Sequence, residues 1–316
     1  MPEGLAGKFH EFWHRTWLRK RASSGQLPET EVSAARRNQN REGTRLQSRH
    51  ARFAVGESVL EVEDLHLSFG GLKALQGAAL KLEAGQIRAL IGPNGAGKTT
   101  FLNSLSRIYA PDSGSIRFRG KQLLDYRSHD LVALGVVRTF QNIRLFDKMS
   151  LVENVTVGMH AHLKQGMLGV ALRLPGTTAE AVAARAKALA LLAYVGLDHL
   201  ADKKASSLAF GQQRRLELAR ALAADPTLLL LDEPASGLSK HEVEELLAIL
   251  RAIRDQLGVS ILLIEHNMNF VMGLADRISV LDHGVMIAEG TPQQIQSDAR
   301  VIEAYLGQER AHAGAQ

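Results

Sequence analysis

Residues 92–100 read Gly-Pro-Asn-Gly-Ala-Gly-Lys-Thr-Thr. The stretch fits G-x-x-x-x-G-K-[ST], running from Gly92 through Gly97 and Lys98 to Thr99. An apolar run (Ile87, Ala89, Leu90, Ile91) precedes it, and a helix-like run (Thr100, Phe101, Leu102, Leu105) follows. Strand, glycine loop and helix is the context such a loop needs to hold phosphate. Glycines let successive backbone N–H groups curl toward an anion, and the following helix adds the positive end of its dipole. Lys98 is placed to reach the outer phosphates, and the Thr99 hydroxyl to hold Mg²⁺.

Working outward, two further runs are nearly continuous in Leu, Ile and Val: 227–231 and 259–264. Such strands, flanked by helices, belong in a parallel sheet buried on both faces. Before the glycine loop, 58–67 and 78–82 alternate apolar and polar residues, as antiparallel strands do. Residues 115–119 form a further edge strand. Residues 130–224 are mainly helical by pattern, and 179–195 are rich in helix formers. Residues 276–291 suit a closing hairpin around His283-Gly284, and 292–307 a terminal helix. No internal repeat is present. The expectation is an α/β chain with a parallel core, an antiparallel β portion at its start and a helical insert.

The chain has 316 residues, 45% hydrophobic and 22% charged, without cysteine. Disulfides and thiol chemistry are excluded. No apolar run approaches the ~18 residues of a membrane span, and the start lacks the apolar core of a secretory signal. Residues 1–58 hold eleven Lys and Arg against six acidic residues, which accounts for the whole net charge of +5. The remainder is neutral, so a nucleic-acid partner is not expected. Residues 1–57 read as a basic tail, polar enough over 23–48 to stay disordered. Within it, 8–20 place Phe9, Trp13 and Trp17 at four-residue spacing with basic flanks, a short amphipathic helix. Contact with a membrane surface or partner, packing on its own domain, and an upstream start adding idle residues all remain open for it.

Four leucines, 228–231, run into Asp232 and Glu233. Asp232 suits the Mg²⁺ shell that accompanies a phosphate loop. Glu233, one residue beyond, can orient or deprotonate an attacking water near the γ-phosphate. His266 follows the 260–264 run at the same sheet edge, where an imidazole can donate to a phosphate oxygen. A lone His at a strand end is usually structural. Gln141 can meet Mg²⁺ and the attacking water, although alone it decides nothing. Leu208-Ala209-Phe210-Gly211-Gln212 precedes a helix with Leu216, Ala219 and Leu222 on one face. Gly211 lies just before that helix, and the plain reading is a loop that starts a core helix.

Taken in order, GPNGAGKTT, Gln141, LAFGQQRR, LLLLDEP and Glu265-His266 resemble the ATP-binding cassette (ABC) ATPases. They match the Walker A loop, Q-loop, signature motif, Walker B with its glutamate, and switch histidine, with a D-loop at Ser236-Gly237-Leu238-Ser239. The likeness spans about 60–307. More finely it is similar to the ATP-binding subunit of branched-chain amino acid importers, through 137–160, 262–284 and 290–307.

The resemblance implies a P-loop NTPase of the ABC type: a parallel sheet core, an antiparallel β subdomain, and a helical subdomain over about 141–224, within a domain over 58–308. Residues 309–316 are a C-terminal tail. ATP and Mg²⁺ are the implied cofactors. Phe69 stacks on the adenine; Gly92, Asn94, Gly95, Ala96, Gly97, Lys98, Thr99 and Thr100 hold the phosphates; Thr99, Gln141 and Asp232 hold the metal. Glu233, His266 and Gln141 are catalytic. Leu208, Ala209, Phe210, Gly211 and Gln212 complete the site of a second ABC ATPase subunit, identical or a sister.

Further partners are transmembrane permease subunits and, indirectly, a solute-binding protein; 141–150 line the groove for the permease. The place is the cytoplasmic face of the cell membrane, peripherally bound. Two positions depart from the pattern: Ala209 replaces a serine, and Ser239 stands where Asp is frequent. Another cargo, such as urea, an amide or a lipid, or a soluble non-transport ABC ATPase, is the alternative.

Overall fold

In a computed structural model, residues 56–141, 143–160 and 177–305 are described. The amphipathic stretch 8–20, residues 1–55 of the tail and residues 309–316 lie outside them.

Strands β1 (Ser58–Phe69), β2 (Leu72–Glu83), β4 (Ser113–Phe118) and β5 (Lys121–Gln122) form one antiparallel sheet in the order β2-β1-β4-β5. The β2 strand is longer than the 78–82 expected. Gly70 and Gly71, both at positive φ, close the β1–β2 hairpin, so pairing runs down to Phe69 and Leu72. Positive φ at both central residues is what a two-residue hairpin turn demands.

The second sheet has the order β10-β9-β3-β8-β7-β6. It comprises β3 (Ile87–Ile91), β6 (Val136–Arg138), β7 (Leu228–Asp232), β8 (Ser260–Ile264), β9 (Arg277–Asp282) and β10 (Val285–Gly290). All contacts are parallel except β9–β10. The three central strands β3, β7 and β8 are buried throughout. Alternate side chains explain their unbroken apolar runs. Leu229, Leu231, Ile261 and Leu263 enter one core with the helices, whereas Leu228, Leu230, Leu262 and Ile264 enter a second core with the antiparallel sheet.

The helices are α1 (Lys98–Leu105), α2 (Leu131–Leu134), α3 (Leu151–Gly158), α4 (Thr177–Tyr194), α5 (Phe210–Ala223), α6 (Lys240–Leu257), α7 (Met268–Leu274) and α8 (Pro292–Ser297). Three expectations are corrected, and a fourth, the closing hairpin, is met with an addition. The supposedly helical 130–224 contains β6, a three-residue edge strand paired with β7 and too short to show a period. The hairpin 276–291 is present, but its first strand also lies beside β3 and is therefore part of the sheet interior. The expected terminal helix is broken at Asp298, whose extended backbone and carboxylate cap a second helical stretch over 299–305. Finally, α5 begins at Phe210, so Gly211 sits inside its first turn and not before it. No helix among the described residues is long and apolar enough to cross a membrane.

Candidate nucleotide site

The glycine loop leaves the carboxyl end of β3, a central strand, which is where ligands bind in open α/β sheets. Two of its glycines are fixed by close approach. A Cβ at Gly92 would strike the Leu281 carbonyl of β9, and one at Gly97 the Ala74 carbonyl of β2. Gly97 also takes a left-handed backbone as the cap of α1. The β9–β10 turn supports the loop from below, with Gly284 N–H donating to Ala96 O at 2.9 Å.

Lys98 Nζ donates back across the loop to Gly92 O (2.8 Å) and Pro93 O (2.7 Å). Burial lowers its pKa, opposed by the charge of Glu233. A half-buried ammonium facing the loop mouth is a cation held ready for an anion. Thr99, exposed, follows it at the start of α1.

Asp232 ends β7, buried, with Oδ2 accepting from Arg138 Nη2 at 2.9 Å. Arg138, the last residue of β6, also donates to Asn103 Oδ1 (2.7 Å) on α1 and to Ser106 Oγ (2.6 Å) at the C-terminal cap of that helix. The aspartate is thus tied to the helix that begins with Lys98. Glu233 leaves the strand with φ of 46°, a left-handed backbone that costs a residue with a Cβ roughly 1–2 kcal/mol. Its N–H still pairs with Ile264 O at 2.9 Å, which holds the turn against β8. Strain of this kind persists where surrounding structure enforces it, as at functional sites.

Gln141 and His266 both reach Glu233. Gln141 Nε2 donates to Glu233 Oε2 at 2.9 Å, and His266 Nδ1 lies 3.7 Å from the same oxygen. The His266 side chain is 62% exposed, Glu233 25%. Glu265, buried, binds three backbone N–H groups: Ala235 (3.0 Å), His266 (2.9 Å) and Asn267 (3.0 Å). That carboxylate clamps the loop after β7 to the loop after β8, setting Glu233 and His266 side by side.

The residues expected at the phosphates, at the metal and around the attacking water therefore meet along one sheet edge. Phe69 ends β1, 42% exposed, with its ring 5.1 Å from Tyr109 in an edge-on pair. The stretch 208–212 packs elsewhere. A Cβ at Gly237 would come within 3.0 Å of the Phe210 ring, and Glu242 accepts from Gly211 N–H. Glu242 also accepts from Ser239 N (2.8 Å) and Oγ (2.6 Å), so the two unusual motif segments are joined within one chain.

Three site neighbours carried no sequence signal. Arg138 and Glu242 act through contacts distant in the chain. Tyr305, in the last helical stretch, accepts from Gly92 N–H at the head of the loop, and burial pushes its phenol up to about 12.

Residues 75–236 match the family model described as ABC transporter. This chain belongs to the ABC transporter family. Residues 285–311 match a second model, the branched-chain amino acid ATP-binding cassette transporter. The cassette is 44% identical over 254 residues to the high-affinity branched-chain amino acid transport ATP-binding protein BraF of Pseudomonas aeruginosa, covering 80% of this chain and 100% of that protein. It is 42% identical over 254 residues to LivG of Escherichia coli, with the same coverage. Among solved structures, it matches the ADP conformation of an ATP-binding cassette of an ABC transporter with a TM-score of 0.69 and 30% identity, over 79% of this chain and 99% of that one. The cassette is an ATP-binding ATPase with the α/β fold of that family.

Proposed function

We propose that this chain is the ATP-hydrolysing subunit of a membrane importer for branched-chain or other hydrophobic amino acids. The observation that carries the chemistry is the convergence of Gln141 and His266 on Glu233, a carboxylate close enough to Lys98 to influence its charge. The cargo reading is supported by the transport role in the names of BraF and LivG and by the C-terminal match.

In this reading the loop amides from Asn94 to Thr100, with Lys98, hold the phosphates, and Phe69 stacks on the base. Glu233 accepts the proton of the attacking water, Gln141 positions that water, and His266 donates to the γ-phosphate. The donors near the loop are a threonine hydroxyl, the Asp232 carboxylate and the Gln141 amide. Such hard oxygens fit Mg²⁺, which takes few protein ligands and completes its shell with phosphate and water. When bound there, Mg²⁺ would supply positive charge to offset the negative charge on the phosphates.

The signature stretch 208–212 faces the nucleotide of a second cassette, identical or a sister. Closure of the pair on ATP drives permease subunits at the cytoplasmic face of the membrane. A nucleotide does mechanical work only through its differential affinity for the closed state.

The test is phosphate release by the full chain assembled with its membrane subunits. Glu233→Gln abolishes turnover while ATP still binds. Single-turnover release at the wild-type rate in that variant removes Glu233 from the role of base. Stimulation by a binding protein loaded with leucine or valine supports the cargo; stimulation only by an unrelated solute overturns it.

A further inference from the structure

Helix α5, which opens with the signature stretch, carries a buried ion pair that the proposed chemistry does not use. Arg214 and Glu217 are 2% and 3% exposed, with Nη1 donating to Oε2 at 2.8 Å. Burying two charges costs several kcal/mol per ion before attraction offsets it, and well-packed apolar side chains commonly replace such a pair without loss. Packing alone therefore does not call for it.

What the pair adds is a grip on backbone. Arg214 Nη1 donates to Phe140 O and Nη2 to Gln141 O, each at 3.2 Å. The Glu217 carboxylate accepts from Phe140 N–H, while burial pushes that carboxyl up. Three backbone polar groups of two adjacent residues, just past the end of edge strand β6, thus bind one ion pair on α5. From the other side the Arg138 guanidinium lies 5.2 Å from the centre of the Phe140 ring. The backbone held in this way is the one from which Gln141 reaches Glu233 at 2.9 Å.

We infer that Arg214 and Glu217 are positioning residues for Gln141, holding its backbone to the signature helix so that its amide meets Glu233. The inference rests on the ATPase reading above. Because Gln141 is carried by α5, any displacement of that helix moves the amide relative to Glu233. A misplacement of about 1 Å at a catalytic group can cost roughly 100-fold in rate. Neither residue of the pair bonds to the phosphate loop in the contacts described, so nucleotide affinity stays.

The test uses the full chain with its membrane subunits and the double substitution Arg214→Met with Glu217→Leu, which removes both charges together. The expected result is a folded protein with an ATP KM within about twofold of wild type and kcat lowered about tenfold or more, a barrier increase of about 1.4 kcal/mol. Adding Gln141→Ala to this background then costs little further, because coupled residues are not additive. Wild-type kcat in the folded double variant overturns the inference, as does a Gln141→Ala loss that simply adds.

Should the double variant not fold, Arg214→Lys keeps the charge but cannot fork onto two carbonyls. It is expected to show the same kcat loss at constant KM, and wild-type kcat there counts against the inference. Glu233→Gln in the otherwise native chain is read separately: continued turnover there defeats the parent reading, whereas the coupling of the pair to Gln141 is judged from the variant cycle alone.

Discussion

Lys98 binds the carbonyls of Gly92 and Pro93 and feels Glu233 across the loop mouth. A charge-assisted hydrogen bond contributes about 1.5–3 kcal/mol. Lys98→Met is therefore expected to weaken ATP binding by roughly 10- to 100-fold. Calorimetric titration checks this, and unchanged affinity would remove Lys98 from the phosphate site. Gly211 is fixed for another reason. A Cβ there would collide with the Glu242 carboxylate, itself held by Ser239. Gly211→Ala should cost about 1–3 kcal/mol as an overpacked contact, seen as a lowered Tm; a Tm equal to wild type would show that Glu242 gives way freely. At this scale the sequence was legible where chemistry and spacing are local. Lys98, Thr99, Asp232 and Glu233 could be read from their own neighbours. Arg138, Arg214, Glu242 and Tyr305 could not, because each gains its meaning from a partner far along the chain.

Helix α3 illustrates an element set by its first turn. Ser150 Oγ accepts from Glu153 N–H, and Glu153 Oε2 accepts from Ser150 N–H at 2.7 Å. This reciprocal cap precedes Leu151, Val152 and Val155, which enter the larger core. Ser150→Ala should cost about 1 kcal/mol, a Tm decrease of about 2–4 °C for a domain of this size. Thermal unfolding checks it, and no shift would mean that core packing alone sets the helix start. Strands β7 and β8 were readable because both faces are buried and the apolar run is unbroken. Strand β6 was not, since Val136–Arg138 is too short for any period and its place is set by pairing with Leu228, Leu229 and Leu230. The extra length of β2 follows from the Gly70-Gly71 turn, a signal present in the sequence but outweighed by the alternation further on.

Over the whole molecule, the charge excess lies in residues 1–58 while the rest is balanced. Deleting residues 1–50 is expected to leave ATPase activity intact; failure of that truncation to fold would make the segment part of the domain. The signature and D-loop segments are joined, through Phe210 beside Gly237 and Gly211 on Glu242, and in the function proposed here they form one surface for a facing cassette. In that proposal each cassette supplies half of each pocket. The most direct measurement is the solution mass of the Glu233→Gln protein by light scattering, with its sister cassette where one exists, before and after Mg-ATP. The account predicts a pair of cassettes holding two nucleotides with ATP and separate cassettes with ADP. Cassettes that stay apart while saturated with ATP would contradict it.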